Sequence, residues 1–554
     1  MLFSTLFSRW LCRVLPFVLL GSFTAMAQTT PTWKTTYAIG IGSSYTLVAA
    51  VDASGNTYEA GSFDGTTSIG NVSLTSKGGM DGYLAKYRPD GSVAWVRQLG
   101  SSTRDLALDV TVDATGNAYV TGCFSGTIAL GNSLLLTSNT SSLKGFVIRY
   151  SPQGEPEWVQ QSIARAGNSV LNSGIGIDAM GHVYVTGYCD HAVTFGTSTV
   201  TYPDNGTFLA RFSAVSGAVE FLKPAFAYDP LLATPLVAYY YNPQLAVAPS
   251  GEICVLNVFS QPAVLGATTL ISRGDDDVLL AKYDAHGTFQ WVQQFGGPAT
   301  ERMTKGGLDA AGNLYVVGSF QGAALFGNTT VASNGDDDGC LVKYSAQGAF
   351  QWVQPVGGSG ADRLTSVSLD AGGNPYVSGD FKGVAQMGTA TLTSAGSSDV
   401  LVAAYTPEGQ VRWVQQAGGA GYDAGSCLGL SAQGDIHVLG RFMNNCAFGP
   451  LTLATTANRQ ETFLATLGTN VLAAQATRST KISLYPNPAT SQVHLSGLTT
   501  SSPVQLLDAV GQIVRTYTFS TEAALSLNGI APGLYTLRAT DAQGRTYTSR
   551  LLVQ

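Results

Sequence analysis

Between Leu364 and Gly418 apolar and polar positions alternate in short runs broken by turn residues. LTSVSLD, PYVSGDF, DVLVAAY and QVRWVQQAGG read as four strands, a to d, with AGGN and TPEG as tight turns and a Gly/Thr/Ser-rich connection, KGVAQMGTATLTSAGSS, between b and c. β-branched and aromatic residues at this spacing, bounded by Gly, Asn and Asp, predict antiparallel β-structure.

The turn and strand b recur seven times: DASGNTYEAGSF from Asp52, DATGNAYVTGCF from Asp113, DAMGHVYVTGYC from Asp178, APSGEICVLNVF from Ala248, DAAGNLYVVGSF from Asp309, DAGGNPYVSGDF from Asp370 and SAQGDIHVLGRF from Ser431. The starts lie 61, 65, 70, 61, 61 and 61 residues apart, so the chain is built of repeated supersecondary units. Seven units of four antiparallel strands predict an all-β, seven-bladed β-propeller. Strand d carries Trp95, Trp158, Trp291, Trp352 and Trp413, with Phe221 in the degenerate fourth unit. The seventh unit stops after a strand of type c, Glu461 to Leu467, and the missing d strand is expected at the other end of the chain, around Trp33. Such a ring, closed by the N-terminal strand, leaves no open sheet edge. The recurring Trp is expected to pack one blade on the next.

The D-A-x-G-N-x-Y-V-x-G phrase, the D-x-x-L-A-K-Y strand and the W-V-x-Q-x-G-G strand resemble the β-propeller repeat family of secreted bacterial proteins over roughly residues 33 to 467. The resemblance implies the fold, while propellers host binding modules and enzymes alike. After Leu472 the period stops. Alternating strands over the last 75 or so residues predict a small Ig-like β-sandwich. Its Tyr485-Pro486-Asn487-Pro488 entry, Asp508 and Gly511, and Pro532-Gly533-Leu534-Tyr535 resemble, in order, the C-terminal sorting domain of type IX secretion. That resemblance implies a Gram-negative source, engagement with the type IX machinery, removal of this domain, and release or anchoring at the outer cell surface. The expected division is a signal peptide over 1–27, the propeller over 28–470, a linker over 471–480 and the sorting sandwich over 481–554.

The N-terminus agrees with export. Arg9 and Arg13 precede an apolar run from Val14 to Leu20, and Ala25-Met26-Ala27 offers a small-x-small cleavage pattern. The run is too short to span a bilayer, and the mature chain is expected without a transmembrane segment. A net charge of −7 gives no basic footprint for nucleic acid. Six cysteines remain beyond the signal: Cys123, Cys189, Cys254, Cys340, Cys427 and Cys446. Cys427 and Cys446 share a repeat and are the first choice for a disulfide; the alternative is six buried thiols.

In antiparallel blades the short a–b and c–d turns share one face, and the longer b–c and d–a connections share the other, which is the candidate functional face. Asp105, Glu301, Asp362 and Asp423 stand eight residues before the repeat phrase, and Asp81, Asp277, Asp338 and Asp399 stand at the start of strand c. The longest d–a connection carries Tyr239, Tyr240 and Tyr241. Together these form a candidate acidic, partly aromatic cup for a glycan, a cation such as calcium, or a basic protein segment. Recurrence from unit to unit favours the other reading, in which the carboxylates cap turns and pair with Arg104, Arg302 and Arg363. None of the five His residues sits in a metal or nucleophile motif, and no cofactor loop is present. The expected function is a non-enzymatic, monomeric binding module for glycan or protein. The alternatives are a polysaccharide-degrading enzyme working through paired carboxylates and a structural surface-layer component.

Overall fold

The computed structural model describes residues 30–40, 46–138, 142–164, 167–228, 242–455, 459–468, 480–481, 483–496, 502–508, 512–519, 524–540 and 546–554. The expected signal peptide, Tyr239 to Tyr241, Gly511 and all but residue 480 of the expected linker lie outside them. Among the described residues the chain is all-β, and no helix is long and apolar enough to cross a membrane. It forms two compact units, Met1–Thr469 and Asn470–Gln554.

In the first unit each repeat is an antiparallel meander a-b-c-d. The sixth runs Arg363–Leu369, Pro375–Phe381, Asp399–Tyr405 and Val411–Ala417. The a strands of the other repeats are Thr46–Val51, Leu106–Val112, Val170–Ile177, Gln244–Val247, Glu301–Leu308 and Ala424–Leu430. Successive a strands touch, and Ala424–Leu430 also meets Thr46–Val51. The last meander takes its fourth strand from the N-terminus: Thr32–Gly40 pairs antiparallel with Gln460–Gly468, Thr36 opposite Ala465. Strands b and c are covered on both faces, so residues such as those of Asp399–Tyr405 are buried without alternation.

The repeat phrase owes its form to a side-chain-capped turn. Asp52 Oδ1 accepts the amides of Ser54 and Asn56 at 2.9 Å, and the Asn56 amide group donates to Asp52 Oδ2 at 2.7 Å. Gly55 takes a φ of 81°, which favours glycine. The glycine three residues after the phrase's Tyr meets a different demand. A Cβ on Gly318 or Gly379 would overlap the carbonyl oxygen of Arg302 or Arg363 in strand a.

The strand-d tryptophans join neighbours. Trp95 lies over Gly154 and donates to the Pro152 carbonyl, and Trp352 lies over Gly409 and donates to Pro407. Trp33 differs. It stands opposite Leu467, whereas the register position of the other tryptophans (Trp95 opposite Lys86) falls in this sheet to Thr35, opposite Thr466. Trp33 instead packs edge-on to Phe448 and donates to the Gln416 carbonyl of the preceding repeat.

Two expectations are corrected. The Gly/Thr/Ser connection between strands b and c is a second hairpin, Val384–Met387 with Ala390–Thr393, that buries Ala385 and Met387. It extends the sheet of the repeat before, with Gly357 opposite Gln386. All six cysteines are free thiols. Cys427 lies on an inner a strand and Cys446 on the outer hairpin of the same repeat, so the sheet separates them. Burial pushes Cys427 up to about 11 and Cys123 up to about 12.

Among its described residues the second unit has two sheets. Gly533–Thr540 pairs with Thr546–Val553 and with Ser502–Leu507, which also pairs with Ile513–Phe519; Gln492–Ser496 joins Ser483–Tyr485 and Leu525–Ser526. Val493, Leu495, Val504, Leu506, Leu537 and Leu551 are among the residues of their shared core.

Candidate functional site

The seven a strands border one cavity of about 280 Å³. A bulge places it within reach of consecutive residues. Strand a slips by one residue against strand b between Ala107 and Asp109, Asn172 and Gly174, Met303 and Lys305, Leu364 and Ser366, and Gly425 and Cys427. A bulge bends the strand and re-aims its side chains, so Thr304 and Lys305, Thr365 and Ser366, and Ser426 and Cys427 all line the cavity.

The skipped residue also ties neighbours together. Thr304 Oγ1 donates to the Leu364 carbonyl at 2.8 Å, Thr365 Oγ1 to Gly425 at 2.6 Å and Ser173 Oγ to Pro243 at 2.7 Å. The residue after it, four before the first residue of the phrase, reads Val48, Asp109, Gly174, Gln244, Lys305, Ser366 and Cys427 through the seven repeats. The two charged members of that series meet: Lys305 Nζ stands 3.2 and 3.3 Å from the Asp109 carboxylate oxygens. Asp109 is buried, and its oxygens also accept the amides of Val110 at 3.0 Å and Ile175 at 3.1 Å. Leu47, Leu108, Val367 and Leu428 supply apolar wall.

The predicted acidic residues lie elsewhere, at the ends of the strands, and they are buried. Each closes a loop through backbone amides. Glu301 accepts from Gly297 at 2.7 Å, Asp362 from Gly358 at 2.7 Å and Lys382 at 2.9 Å, and Asp423 from Gly419 at 2.7 Å and Met443 at 3.2 Å. Asp105 accepts from Ser101 and Ser125, Asp338 from Asn334, Asp399 from Ala395, Asp81 from Lys77, and Asp277 from Arg273. These carboxylates cap loops, the reading their recurrence favours, and do not stand open to solvent. Loop amides are the main partners; among the arginines, Arg273 stands 3.6 Å from Asp277 and Arg363 3.5 Å from Asp337.

The two acidic series also meet in pairs. The place a Cβ on Gly357 would take is 2.6 Å from Asp338 Oδ1 and 2.9 Å from Asp362 Oδ2, which explains the glycine at the end of strand d. Asp81 Oδ1, Glu301 Oε1, Asp338 Oδ1 and Asp399 Oδ1 are buried without a hydrogen-bond partner. Burial, opposed by the amide bonds and aided by the neighbouring carboxylate, pushes Glu301 up to about 8 and Asp105, Asp338 and Asp423 up to about 6. Burial also raises Asp81, Asp362 and Asp399. Among the described residues no group of three or more His, Cys, Asp or Glu converges to hold a metal ion, calcium included.

In the second unit the Tyr485–Pro488 and Pro532–Tyr535 landmarks lie beside the last strand. The Asn487 side chain donates to the Arg550 carbonyl at 2.8 Å and accepts the Leu552 amide at 2.9 Å, fixing the Tyr485–Pro488 entry, with both prolines cis, beside the last strand. Asp508 accepts the Gln512 amide at 2.9 Å. At Pro532–Tyr535, where the strand Gly533–Thr540 begins, the Tyr535 hydroxyl donates to the Ala531 carbonyl at 2.8 Å while its ring enters the core; Leu534, opposite Leu552, stays exposed.

Among curated proteins the chain is similar to an uncharacterized WD repeat-containing protein of Acanthamoeba polyphaga mimivirus, 26% identical over 237 residues, 38% of this chain and 17% of that protein. It is also similar to the regulatory protein FlaEY of Caulobacter vibrioides, 27% identical over 143 residues, 25% of this chain and 15% of that one. The chain thus spans less than a fifth of the length of either relative. Among solved structures, a quinohemoprotein alcohol dehydrogenase from Pseudomonas putida HK5 aligns at a TM-score of 0.34 with 11% identity, over 79% of this chain and 76% of that one. A puromycin hydrolase aligns at 0.39 with 13% identity, over 76% and 53%. Likeness of this degree bears on neither activity nor ligand. Residues 483–554 match the family described as the secretion system C-terminal sorting domain. The chain is therefore a protein sent out by type IX secretion, to be attached to the cell surface or released.

Proposed function

We propose that residues 28–470 form a closed seven-bladed β-propeller, that the C-terminal unit is an Ig-like sandwich, and that the exported propeller is a monomeric binding module for a glycan or a protein. The repeated meanders, the contacts between successive a strands and the pairing of Thr32–Gly40 with Gln460–Gly468 support the ring. Residues 1–27 are the proposed signal peptide.

The observation that carries binding over hydrolysis is the state of the carboxylates. Glycoside hydrolysis by the usual route needs two carboxyls facing one bond. Here Asp109 is held by Lys305 and two amides, and the acidic residues of the loops are buried on backbone amides. The test is to incubate the mature protein with a panel of polysaccharides and follow both retention and chain length. Retention of intact chains is the expected result; shortened chains would overturn the binding reading in favour of an enzyme. Absence of any retention would remove glycans and leave protein ligands.

A further inference from the structure

The cavity bordered by the a strands has a chemistry narrower than "binding", and the identity of its occupant rests on the binding-module reading. At about 280 Å³ it lies just under the roughly 300–1,000 Å³ of sites that enclose drug-sized ligands, which limits an occupant to about one ring. Lys305 provides donors. Its contacts to Asp109 are long, 3.2 and 3.3 Å, the Asp109 oxygens take two backbone amides besides, and the lysine side chain keeps 30% of its surface open against 2% for the aspartate. Ser366 Oγ accepts the Leu428 amide at 3.1 Å, which leaves its own hydrogen to donate. Asn242 Oδ1 is a buried acceptor with no partner. Leu108 and Leu428 supply apolar wall.

A purely apolar occupant would strand Lys305 and Asn242, at the cost of their desolvation. A polyanion would meet Asp109 and a chain of net charge −7. A single sugar residue satisfies both kinds of wall, since its hydroxyls both donate and accept while its C–H face packs on leucine. We propose that this cavity is a subsite for one monosaccharide unit, neutral or bearing one carboxylate, with an acceptor oxygen directed at Lys305.

The mature full-length protein is titrated with methyl glucoside, methyl galactoside and methyl glucuronide, followed by calorimetry and ligand-observed NMR. Two variants accompany it: Leu108→Trp, which fills the cavity and leaves the ion pair, and the double variant D109N/K305Q, which removes both charges together and leaves no unpaired buried carboxylate. Saturable binding of at least one glycoside, weakened tenfold or more in both variants at unchanged far-UV circular dichroism, is the expected result. A preference for the glucuronide identifies the acceptor at Lys305 as a carboxylate. No binding of any glycoside, or binding unchanged in a folded Leu108→Trp protein, overturns the proposal. If that variant also retains polysaccharide like the wild type, the cavity reading alone has failed; if the wild type retains none, the glycan reading has failed with it.

Discussion

Glu301→Gln tests whether the buried carboxylates of this protein are stabilising as acids or as anions. Glu301 is fully buried, accepts one amide through Oε2, has no partner for Oε1 and faces Asp277 and Asp276, with Arg273 the opposing cation. These surroundings move it from 4.5 to about 8, with burial the largest cause. A folded-state value above the unfolded one means that the folded chain binds the proton more tightly. The stability it contributes is fully present below the unfolded value, near 4.5, and is lost as pH rises through about 8. The slope between the two is about 1.4 kcal/mol per pH unit, so the group removes about 3–4 kcal/mol between pH 5 and pH 8. Glutamine keeps the Gly297 bond and carries no charge at either pH. The difference in unfolding free energy, variant minus wild type, should therefore rise by about that amount between pH 5 and pH 8 in urea titrations. A difference that stays flat, or falls, with pH would refute the reasoning.

Asp423, raised to about 6, should show the same sign in Asp423→Asn over a lower window, between pH 4 and 6.5, in the same titrations. Gly379→Ala places a methyl on the Arg363 carbonyl and should cost about 1–3 kcal/mol by overpacking, read as a lowered urea midpoint. Lys305→Met leaves Asp109 buried without its cation. It should cost less than the ~3–5 kcal/mol of a fully buried pair because Lys305 keeps contact with solvent, and D109N/K305M should recover most of the loss in a double-mutant cycle. Removing residues 483–554 should leave the protein inside the outer membrane, seen by cell fractionation with an antibody to the remaining unit.

What is legible in the sequence is what repeats locally. Asp52, Gly55 and Asn56 build their turn from neighbours within five residues, so the phrase announces it wherever it occurs. The strand that completes the last meander is legible by subtraction, because six d strands accompany seven c strands. Trp33 is legible only to within a register step: a tryptophan near the right place satisfies the count, while its ring goes to Phe448. The outer hairpin is hidden because its first strand, Val384–Met387, is only four residues long and is set among Gly, Thr and Ser that read as loop. The cavity is hidden for a different reason. Its bulge exists only in the pairing of two strands, and Lys305 and Asp109 are 196 residues apart. Only with the seven repeats laid in register do they stand out, as the two charges in one column. The acidic residues show the converse: a recurrent carboxylate in a repeat is more readily a cap than a ligand contact.

The pairing of Thr32–Gly40 with a strand of the last repeat makes this protein's assembly a matter of time. Thr32–Gly40 is synthesised more than four hundred residues before its partner Gln460–Gly468. At about 5–20 residues per second that interval is on the order of 20–80 s. Through it the early strand has Ile39 packed with Phe63 and Ile69 and bonded to Gly70, but it lacks its ladder partner and must be kept from pairing with the wrong edge. The last hydrogen-bonded ladder of the sheet thus forms only when the chain has been made through residue 468, and a chain cut short before that point carries an unclosed edge as the mark of its incompleteness.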